Sequence, residues 1–500
     1  MPHKTSATLS VGNEGLDLIL KDGLPVHRLY LVEGTPGAGK TTLGLQFLLS
    51  GVTNHESVLY VTLSETADEL ESVAKSHGWS LHGIEVFELS QTDEIFGEAA
   101  QQTILHPWEA ELGNTIKLIQ ERVERSKPTR VVFDSLSEMR LLAQDPLRYR
   151  RQVLALKQYF AGRNITVLLV DDLTTSHGEH DNHLHSICHG VITLERLTLD
   201  FGAARRRLQV QKLRGVDFVA GYHDFVIVKG GLHVFPRMMA AGQHSNFQLE
   251  PVASGVEELD RLLAGGPLRG TSTLITGPAG SGKTTVAFAY VVAACERGEC
   301  CTVYEFDERV GTLLRRAEAM GFPLQRYIAS GLLKVEQINP AEISPGEFSW
   351  RVRTEVETRQ VQMFVIDSLN GYLAAMPQEQ QLILQMHEML SYLAQHGVAT
   401  FLINAQSGLI GTMTTSLNIS YIADTVILIR FFEAQGRLRK AISVLKNRGG
   451  AHEDAIRELN IDGRGVRVGQ PLTKFKGVLT GTPEYFGSQE PLLEGRPFGR

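Results

Sequence analysis

Short apolar runs alternate along the chain with amphipathic stretches. In the first half the apolar runs lie at Leu29–Val32, Val58–Thr62, Val131–Phe133 and Val167–Val170, and helical patterns such as Ala67–His77 separate them. Strands that alternate with helices are typical of a parallel sheet covered by helices on both faces. The hydrophobic pattern therefore predicts an α/β fold with a mainly parallel sheet.

Both halves of the chain end in the same pattern, which departs from this alternation: a short turn joins two longer apolar runs. Val191–Leu197 and Arg206–Leu213 form the first pair, and Val426–Phe432 and Leu438–Leu445 form the second. Apolar runs connected by a short segment that contains glycine indicate antiparallel strands. We therefore predict that each half closes with a terminal antiparallel hairpin.

The chain contains one unit written twice. GTPGAGKTT at Gly34–Thr42 returns as GPAGSGKTT at Gly277–Thr285, and Gly12 and Gly255 precede these segments at equal spacing. A length of 500 residues alone suggests about three domains, but the repeat favours two. The predicted divisions are a first domain at residues 1–238, a linker at 239–250, a second domain at 251–470 and a C-terminal tail at 471–500.

The composition is that of a folded globular protein, with 43% hydrophobic and 21% charged residues. The four cysteines match neither a disulfide framework nor the paired CxxC spacing of a zinc site, so we expect a reduced, cytoplasmic setting. No apolar run approaches the length of a membrane span, and the first ten residues lack the apolar core of a secretory signal. The formal net charge of −7 comes without a basic tail, which argues against a nucleic-acid partner.

Both repeated segments match the phosphate-loop pattern GxxxxGK[ST], and each follows an apolar strand and precedes an apolar helix. In that context backbone N–H groups and a helix N-terminus converge on a polyphosphate. We expect Lys40 and Lys283 to reach the β- and γ-phosphates of ATP, and Thr41 and Thr284 to bind Mg²⁺. A loop that binds nucleotide without turnover is the alternative. The predicted nucleotide-binding residues are Gly34, Thr35, Pro36, Gly37, Ala38, Gly39, Lys40, Thr41 and Thr42, with Gly277, Pro278, Ala279, Gly280, Ser281, Gly282, Lys283, Thr284 and Thr285.

Carboxylates that follow apolar strands complete each predicted site. Asp134 and Asp367 end the runs VVFD and FVID, where we expect them to hold Mg²⁺ through water. Glu65, Asp307 and Glu308 follow another strand and are predicted to orient the attacking water as catalytic residues. An acidic first helical turn that only stabilises its helix is the alternative for these three.

These residues together resemble the KaiC-type branch of the RecA-like ATPases. The resemblance spans about residues 8–485 and includes the doubled phosphate loop, the LD-containing segment at Ser254–Gly266 and a repeated K-x-R-G. It implies two fused RecA-like domains that assemble into hexameric rings, with ATP between neighbouring subunits. An ordinary basic hairpin edge is the alternative for the K-x-R-G residues. The residues that the resemblance implies for contact with the γ-phosphate of the adjacent subunit are Lys212, Arg214, Lys446 and Arg448.

The resemblance also implies protein kinase activity in the second domain. Clock members of the family phosphorylate an adjacent Ser-Thr pair shortly before the final hairpin. The matching positions hold Ser420 and Tyr421 here, and the first half holds His185 and Ser186. Autophosphorylation at Ser420 is therefore a hypothesis, and the two-site cycle is not carried over because Tyr421 replaces the threonine.

Several histidines cluster before the first hairpin, where a metal site is one interpretation. No Cys–His spacing of a zinc site accompanies them, so a polar loop is favoured. A short basic run at Arg205–Arg207 is predicted to be a solvated strand edge. The clustered histidines are His177, His180, His183, His185 and His189.

Three functions follow from these observations. The first is an ATP-hydrolysing regulatory ring with serine/threonine autokinase activity, which would use ATP and Mg²⁺ and associate as a homo-hexamer with signalling proteins as partners. The second is a DNA-dependent ATPase of the RecA/RadA type, which the negative net charge and the lack of a DNA-binding module disfavour. The third is a signalling scaffold that ATP assembles without being hydrolysed.

Overall fold

The computed structural model describes residues 7–89, 107–143, 145–173, 181–198, 202–239, 247–373, 379–406, 421–479 and 484–485. The chain divides into two compact units, Met1–Arg237 and Met238–Arg500, which are called domain 1 and domain 2 below. Ser420, His177 and His180 lie outside the described residues. No helix in these ranges is both long and apolar enough to cross a membrane.

The strands of domain 1 are β1 (Thr8–Leu9), β2 (Leu24–Pro25), β3 (Leu29–Gly34), β4 (Val58–Thr62), β5 (Ile84–Glu88), β6 (Arg130–Asp134), β7 (Thr166–Asp172), β8 (Gly190–Leu197), β9 (Arg205–Leu213), β10 (Tyr222–Val228) and β11 (Gly231–Phe235). The helices of domain 1 are α1 (Glu14–Ile19), α2 (Lys40–Thr53), α3 (Ala67–Ser76), α4 (Pro107–Ser126), α5 (Leu136–Ala143), α6 (Pro146–Ala161) and α7 (Asp181–Ile187).

The helices of domain 2 are α8 (Glu257–Arg261), α9 (Lys283–Glu296), α10 (Val310–Ala319), α11 (Leu324–Ala329), α12 (Pro345–Arg359), α13 (Leu369–Leu373) and α14 (Glu379–Gln395). The strands of domain 2 are β12 (Ser272–Gly277), β13 (Cys301–Glu305), β14 (Leu333–Gln337), β15 (Met363–Asp367), β16 (Ala399–Ala405), β17 (Thr425–Ala434), β18 (Arg437–Asn447), β19 (Arg457–Asp462), β20 (Gly465–Pro471), β21 (Phe475–Lys476) and β22 (Glu484–Tyr485).

A nine-stranded sheet forms the centre of each domain within the described residues. The strand order is β11-β10-β9-β8-β3-β7-β6-β4-β5 in domain 1, and β20-β19-β18-β17-β12-β16-β15-β13-β14 in domain 2. Strands β8, β3, β7, β6, β4 and β5 run parallel to their neighbours, and β8 to β11 pair antiparallel. Domain 2 repeats the same arrangement. The predicted α/β class, with mainly parallel sheets and terminal hairpins, is confirmed.

The outer strands β10, β11, β19 and β20 extend each predicted hairpin by a second one. Their apolar residues alternate with exposed polar residues, because one face of this edge meets solvent. The hydrophobic pattern did not predict these four strands.

The parallel part of each sheet is covered on both faces. In domain 1, α2 packs with β3, β4 and β11 on one face, and α4, α5 and α6 pack on the other. The central strands β3 and β12 consist entirely of buried residues. Because both faces are covered, access to polar groups is confined to the carboxyl ends of the parallel strands, where the phosphate loops begin.

Candidate functional site

Both phosphate loops lie between the end of a central strand and the start of a buried helix. Strand β3 leads into α2, and β12 leads into α9. Gly39 and Gly282 have left-handed backbone angles, with φ of 104° and 100°, which glycine adopts without a steric penalty. Among the described residues no side chain caps either helix, so the first N–H groups of α2 and α9 remain available to a phosphate.

The loop lysines are buried and fold back onto their own loops. Lys40 Nζ donates to the carbonyl oxygen of Gly34 at 3.0 Å and forms an ion pair with Asp172 Oδ1 at 2.7 Å. Lys283 Nζ donates to the carbonyl oxygen of Pro278 at 2.8 Å, and burial lowers its pKa. Both ammonium groups therefore lie inside the loop that is predicted to surround the β- and γ-phosphates.

The structure brings together the hydroxyl and carboxylate predicted to hold Mg²⁺ in each domain. Thr41 Oγ1 donates to Asp134 Oδ2 at 3.2 Å, and Thr284 Oγ1 donates to Asp367 Oδ2. Burial raises the pKa of both aspartates. Hard oxygen ligands of this kind fit Mg²⁺, which keeps several waters and takes further oxygens from phosphates. Accordingly, no described group of three or more His, Cys, Asp or Glu side chains encloses a metal by itself.

Glu65 lies beside this pair in domain 1. Its backbone N–H donates to Thr62 Oγ1 at 3.0 Å, and that hydroxyl donates to the Glu65 carbonyl oxygen at 2.7 Å, which fixes the turn after β4. Its Oε2 is buried and has no hydrogen-bond partner among the described residues. Burial, followed by the charge of Asp134, raises the pKa of Glu65 to about 7. A carboxyl group with such a pKa is suited to accept a proton near neutral pH.

The corresponding turn in domain 2 holds its carboxylates more tightly. Asp307 accepts a hydrogen bond from Ser368 Oγ, and Glu308 forms an ion pair with Arg316 at 2.6 Å. Glu305 Oε1 accepts the backbone N–H groups of Asp307 at 3.1 Å and Glu308 at 2.9 Å. The side chains of the predicted catalytic acids of domain 2 are therefore fixed by a hydrogen bond or an ion pair, whereas Glu65 Oε2 has no such contact among the described residues.

Glu305 is a site residue that the sequence analysis missed. It pairs with Asp367 in the sheet register just as Thr62 pairs with Asp134, so it occupies the position of Thr62. Burial, followed by the charge of Asp367, raises the pKa of Glu305 to about 8. Alignment of the two repeats indicates this residue, because the carboxylate Glu305 of the second copy stands where the first copy has the hydroxyl of Thr62. Asp172, which ends β7 and pairs with Lys40, was also not predicted, although its position after an apolar run is the same signal that indicated Asp134.

The K-x-R-G residues of domain 1 contact backbone carbonyl groups of their own chain. Lys212 Nζ donates to the carbonyl oxygens of His185 and of Cys188, the latter at 2.9 Å. Arg214 Nη2 donates to the carbonyl oxygen of Ser186 at 2.8 Å. Burial, followed by the charge of Arg214, lowers the pKa of Lys212. These cations therefore bind the segment that precedes β8.

Domain 2 repeats this arrangement. Lys446 Nζ donates to the carbonyl oxygen of Ala423, and the backbone N–H of Arg448 donates to that of Asp424 at 2.9 Å. Burial, followed by the charge of Arg448, lowers the pKa of Lys446. In both domains the K-x-R-G segment is thus connected to the residues immediately before the hairpin.

The basic run Arg205–Arg207 is only partly solvated. Arg206 lies opposite Arg196 in the β8–β9 register, and its Nε is buried without a hydrogen-bond partner among the described residues. A Cβ on Gly37 would lie 3.2 Å from Arg196 Nη1, so one of these guanidinium groups borders the phosphate loop. The prediction of a solvated edge therefore holds only in part, because Arg206 Nε is buried, while the guanidinium group beside the loop belongs to Arg196 of β8, outside the basic run.

The histidine cluster divides at the edge of the described residues. His177 and His180 lie outside them, and nothing is described for the side chain of His183. His185 Nε2 lies 2.9 Å from Glu33 Oε2, and His189 Nδ1 accepts the backbone N–H of Leu29 at 3.2 Å. Both described rings thus contact strand β3. Ser420 also lies outside the described residues, and the neighbouring Tyr421 is 53% exposed.

A protein-family model described as "ATPase: KaiC" matches residues 9–239 and 252–473. The two matches follow the duplication and together cover most of the chain. They also correspond to the two sheets that carry the phosphate loops.

Curated proteins with similar sequences extend over almost the whole chain. The circadian clock oscillator protein KaiC of Parathermosynechococcus lividus is 28% identical over 484 residues, which cover 94% of this chain and 87% of that protein. The circadian clock protein KaiC3 of a Synechocystis species is 27% identical over 490 residues, with coverages of 96% and 95%. The KaiC protein of Synechococcus elongatus is 26% identical over 492 residues, with coverages of 96% and 92%.

Proposed function

Because the chain belongs to the KaiC family of ATPases, we propose that both of its RecA-like domains bind ATP with Mg²⁺ and hydrolyse it. One observation carries the proposal. In domain 1 the loop lysine, the Thr41–Asp134 pair and the carboxyl oxygen of Glu65 that has no hydrogen-bond partner among the described residues lie at the carboxyl ends of the parallel strands β3, β6 and β4. That is where open α/β sheets bind ligands.

The residues of domain 1 have complementary tasks in this hydrolysis. The N–H groups of α2 and the ammonium group of Lys40 bind the β- and γ-phosphates. Thr41 and Asp134 hold Mg²⁺, which when bound supplies charge neutralisation at these phosphates. Glu65 Oε2 accepts a hydrogen bond from the attacking water and then its proton. In domain 2, Glu308 has this task, and Asp307 supports it from the same turn.

Replacement of the two glutamates tests the catalytic assignment. Glu65→Gln combined with Glu308→Gln should lower phosphate release at least about 100-fold at pH 8, because a general base contributes about that much or more. Glu69→Gln is the matched control, since Glu69 is exposed and a glutamine can keep its capping box with Thr66. Wild-type turnover in the double variant would refute the assignment. ATP-dependent assembly of a wild-type protein that never releases phosphate would instead favour the scaffold.

We further propose that the ATPase is a ring of identical subunits, a hexamer as the family resemblance implies. The contacts of Lys212 and Arg214 support this, because within one chain they bind backbone carbonyl groups and not the phosphate loop. A neighbouring subunit would bring them to a γ-phosphate, where positive charge stabilises the transition state.

Mixed assemblies test the contribution from a neighbour. Lys40→Met removes the loop lysine of domain 1, and Arg214→Met removes the incoming cation, so each variant alone should lose domain 1 turnover. A mixture of the two forms some interfaces with an intact loop and an intact Arg214, and should regain activity. Mass measurement with and without ATP would report the ring size. A mixture that is no more active than its separate components would contradict the proposal.

For domain 2 we propose serine autokinase activity at Ser420. The support is positional, since Lys446 binds Ala423 three residues further along the chain. Incubation with γ-labelled ATP should label the wild type and Tyr421→Phe, but not Ser420→Ala. Equal labelling of all three, or absence of any label, would remove the kinase proposal without affecting hydrolysis.

A further inference from the structure

A buried tyrosine contacts the aspartate that is proposed to hold Mg²⁺ in domain 1. Tyr60 lies in β4, is 0% exposed, and donates its hydroxyl to Asp134 Oδ2 at 2.6 Å. The same oxygen accepts the hydroxyl of Thr41 at 3.2 Å. Two hydroxyl groups of different elements, β4 and α2, therefore engage the same oxygen of the carboxylate.

The register of the parallel strands explains how the ring reaches the site. Tyr60 lies opposite Val132, and Thr62 lies opposite Asp134, so Tyr60 is a diagonal neighbour of the aspartate. Alternate residues of a strand share a face, and this face packs against α2. Gly44 of α2 lies over the ring, where a Cβ would be 3.9 Å from Tyr60 Cε2. Packing thus fixes the ring and directs its hydroxyl to the end of β6.

Domain 2 offers a natural comparison. Val303 pairs with Val365, two residues before the pair of Glu305 with Asp367, so Val303 occupies the position of Tyr60. Valine has no hydrogen-bond donor in its side chain. The tyrosine hydroxyl is therefore present in one of two sites whose Thr–Asp pairs match, and packing of the strand alone does not require it.

We propose that Tyr60 is a positioning residue for Mg²⁺ in domain 1. Its hydroxyl holds Asp134 Oδ2, and this hydrogen bond would keep the carboxylate oriented, beside the Thr41 hydroxyl, for the Mg²⁺ that the two residues would hold. Hydrogen bonds to a metal-binding carboxylate orient it and tune the site. The inference rests on the proposed Mg²⁺-ATP site, and its consequence is that domain 1 binds Mg²⁺-nucleotide at a lower Mg²⁺ concentration with the hydroxyl than without it.

The experiment uses the full chain with Lys283→Ala, which weakens nucleotide binding in domain 2. In this background Tyr60→Phe removes only the hydroxyl and keeps the packed ring. Tyr30→Phe is the matched control, because Tyr30 is also 0% exposed in the same sheet and donates to the carbonyl oxygen of Pro25 at 2.6 Å, away from the site. Binding of a fluorescent ATP analogue is titrated with Mg²⁺ and repeated in EDTA, and thermal unfolding is recorded for each variant.

Tyr60→Phe should raise the half-saturating Mg²⁺ concentration about tenfold, the lower end of the usual effect of such a partner, and leave binding in EDTA unchanged. Tyr30→Phe should change neither quantity, although both variants lose a buried hydrogen bond and unfold at similarly lowered temperatures. An unchanged Mg²⁺ dependence in Tyr60→Phe, or an equal change in both variants, would overturn the inference. Because binding is measured, a protein that fails to hydrolyse ATP would refute the proposed turnover and still decide the role of Tyr60.

Discussion

Hydrolysis by domain 1 should depend on pH with a midpoint near 7. If Glu65 is the general base, only its ionised form accepts a proton from water, so turnover follows the deprotonated fraction and rises with pH. Burial of the carboxyl group and the charge of Asp134 raise the pKa of Glu65 to about 7. The sign is therefore fixed: acidification from pH 8 to pH 6 lowers the rate.

The size of the effect follows from that pKa. With a value of about 7, roughly a tenth of the Glu65 carboxyl is ionised at pH 6 and roughly nine tenths at pH 8. The rate should thus change about tenfold over two pH units. A glutamate with the ordinary value of about 4.3 would be fully ionised throughout, and its rate would be flat. The contrast depends on the buried Oε2 and on the charges around it.

The assay isolates domain 1 with Glu308→Gln and measures kcat/KM from pH 5.5 to 8.5 at high Mg²⁺. The ratio kcat/KM reports groups of the free enzyme, to which the raised pKa applies. Glu69→Gln is an informative second variant, because the charge of Glu69 contributes to the raised pKa and its removal should move the midpoint to lower pH. A profile that is flat between pH 6 and 8, or that falls as pH rises, would refute the reasoning.

Three further changes have defined outcomes. Arg316→Gln releases Glu308 from a partly exposed ion pair that contributes under about 1 kcal/mol, so turnover by domain 2 should rise by at most about fivefold. Turnover is measured in the Glu65→Gln background, and a decrease there would show that Arg316 is needed for the reaction. The stability of Glu305→Gln relative to the wild type should rise between about pH 4.5 and pH 8 and then level off, because the pKa of Glu305, raised to about 8, makes the wild type lose stability across that range. Denaturation at several pH values measures this difference, and the absence of such a trend would contradict the prediction. Gly282→Ala should lower the free energy of unfolding by about 1 kcal/mol or more, since φ is 100° there and a Cβ would lie 2.1 Å from Ile461 Cδ1. Gly311→Ala in α10 places its Cβ in open space, so the same unfolding assay should show no change or a gain in stability.

The parts of the site that sequence reasoning located are those with a local pattern. A phosphate loop needs glycines and a lysine at fixed spacing between a strand and a helix, and an aspartate at the end of an apolar run is visible in the same way. Strand alternation and the duplication gave the α/β fold and its terminal hairpins for the same reason. Thr41 and Asp134, which the sequence patterns assigned to one site, are indeed within hydrogen-bond distance in the structure.

The residues that escaped prediction lie inside the apolar runs themselves. Tyr60 and Glu305 belong to strands whose pattern indicates core, and only the register between β4 and β6, or β13 and β15, places them beside the aspartates. Register depends on pairing across many residues of sequence, so a single strand does not contain it. A contact supplied by another subunit is further removed still, which is why the tasks of Lys212 and Arg214 stay predictions.

The two copies differ mainly in the side chains around their strand-ending aspartates. Their loops, helices and Thr–Asp pairs match closely, but in domain 1 Glu65 Oε2 has no hydrogen-bond partner in the part of the chain that the structure describes, and Asp134 has a second hydroxyl donor. Domain 2 instead adds the buried carboxyl Glu305 beneath the turn and an arginine on Glu308. These differences lie at the end of the strand that pairs with the aspartate-bearing strand, so they concern the residues that we propose to position water and Mg²⁺. An untethered base near neutral pKa suits rapid transfer of a proton from water, and a tethered pair of acids suits a site whose turnover is restrained.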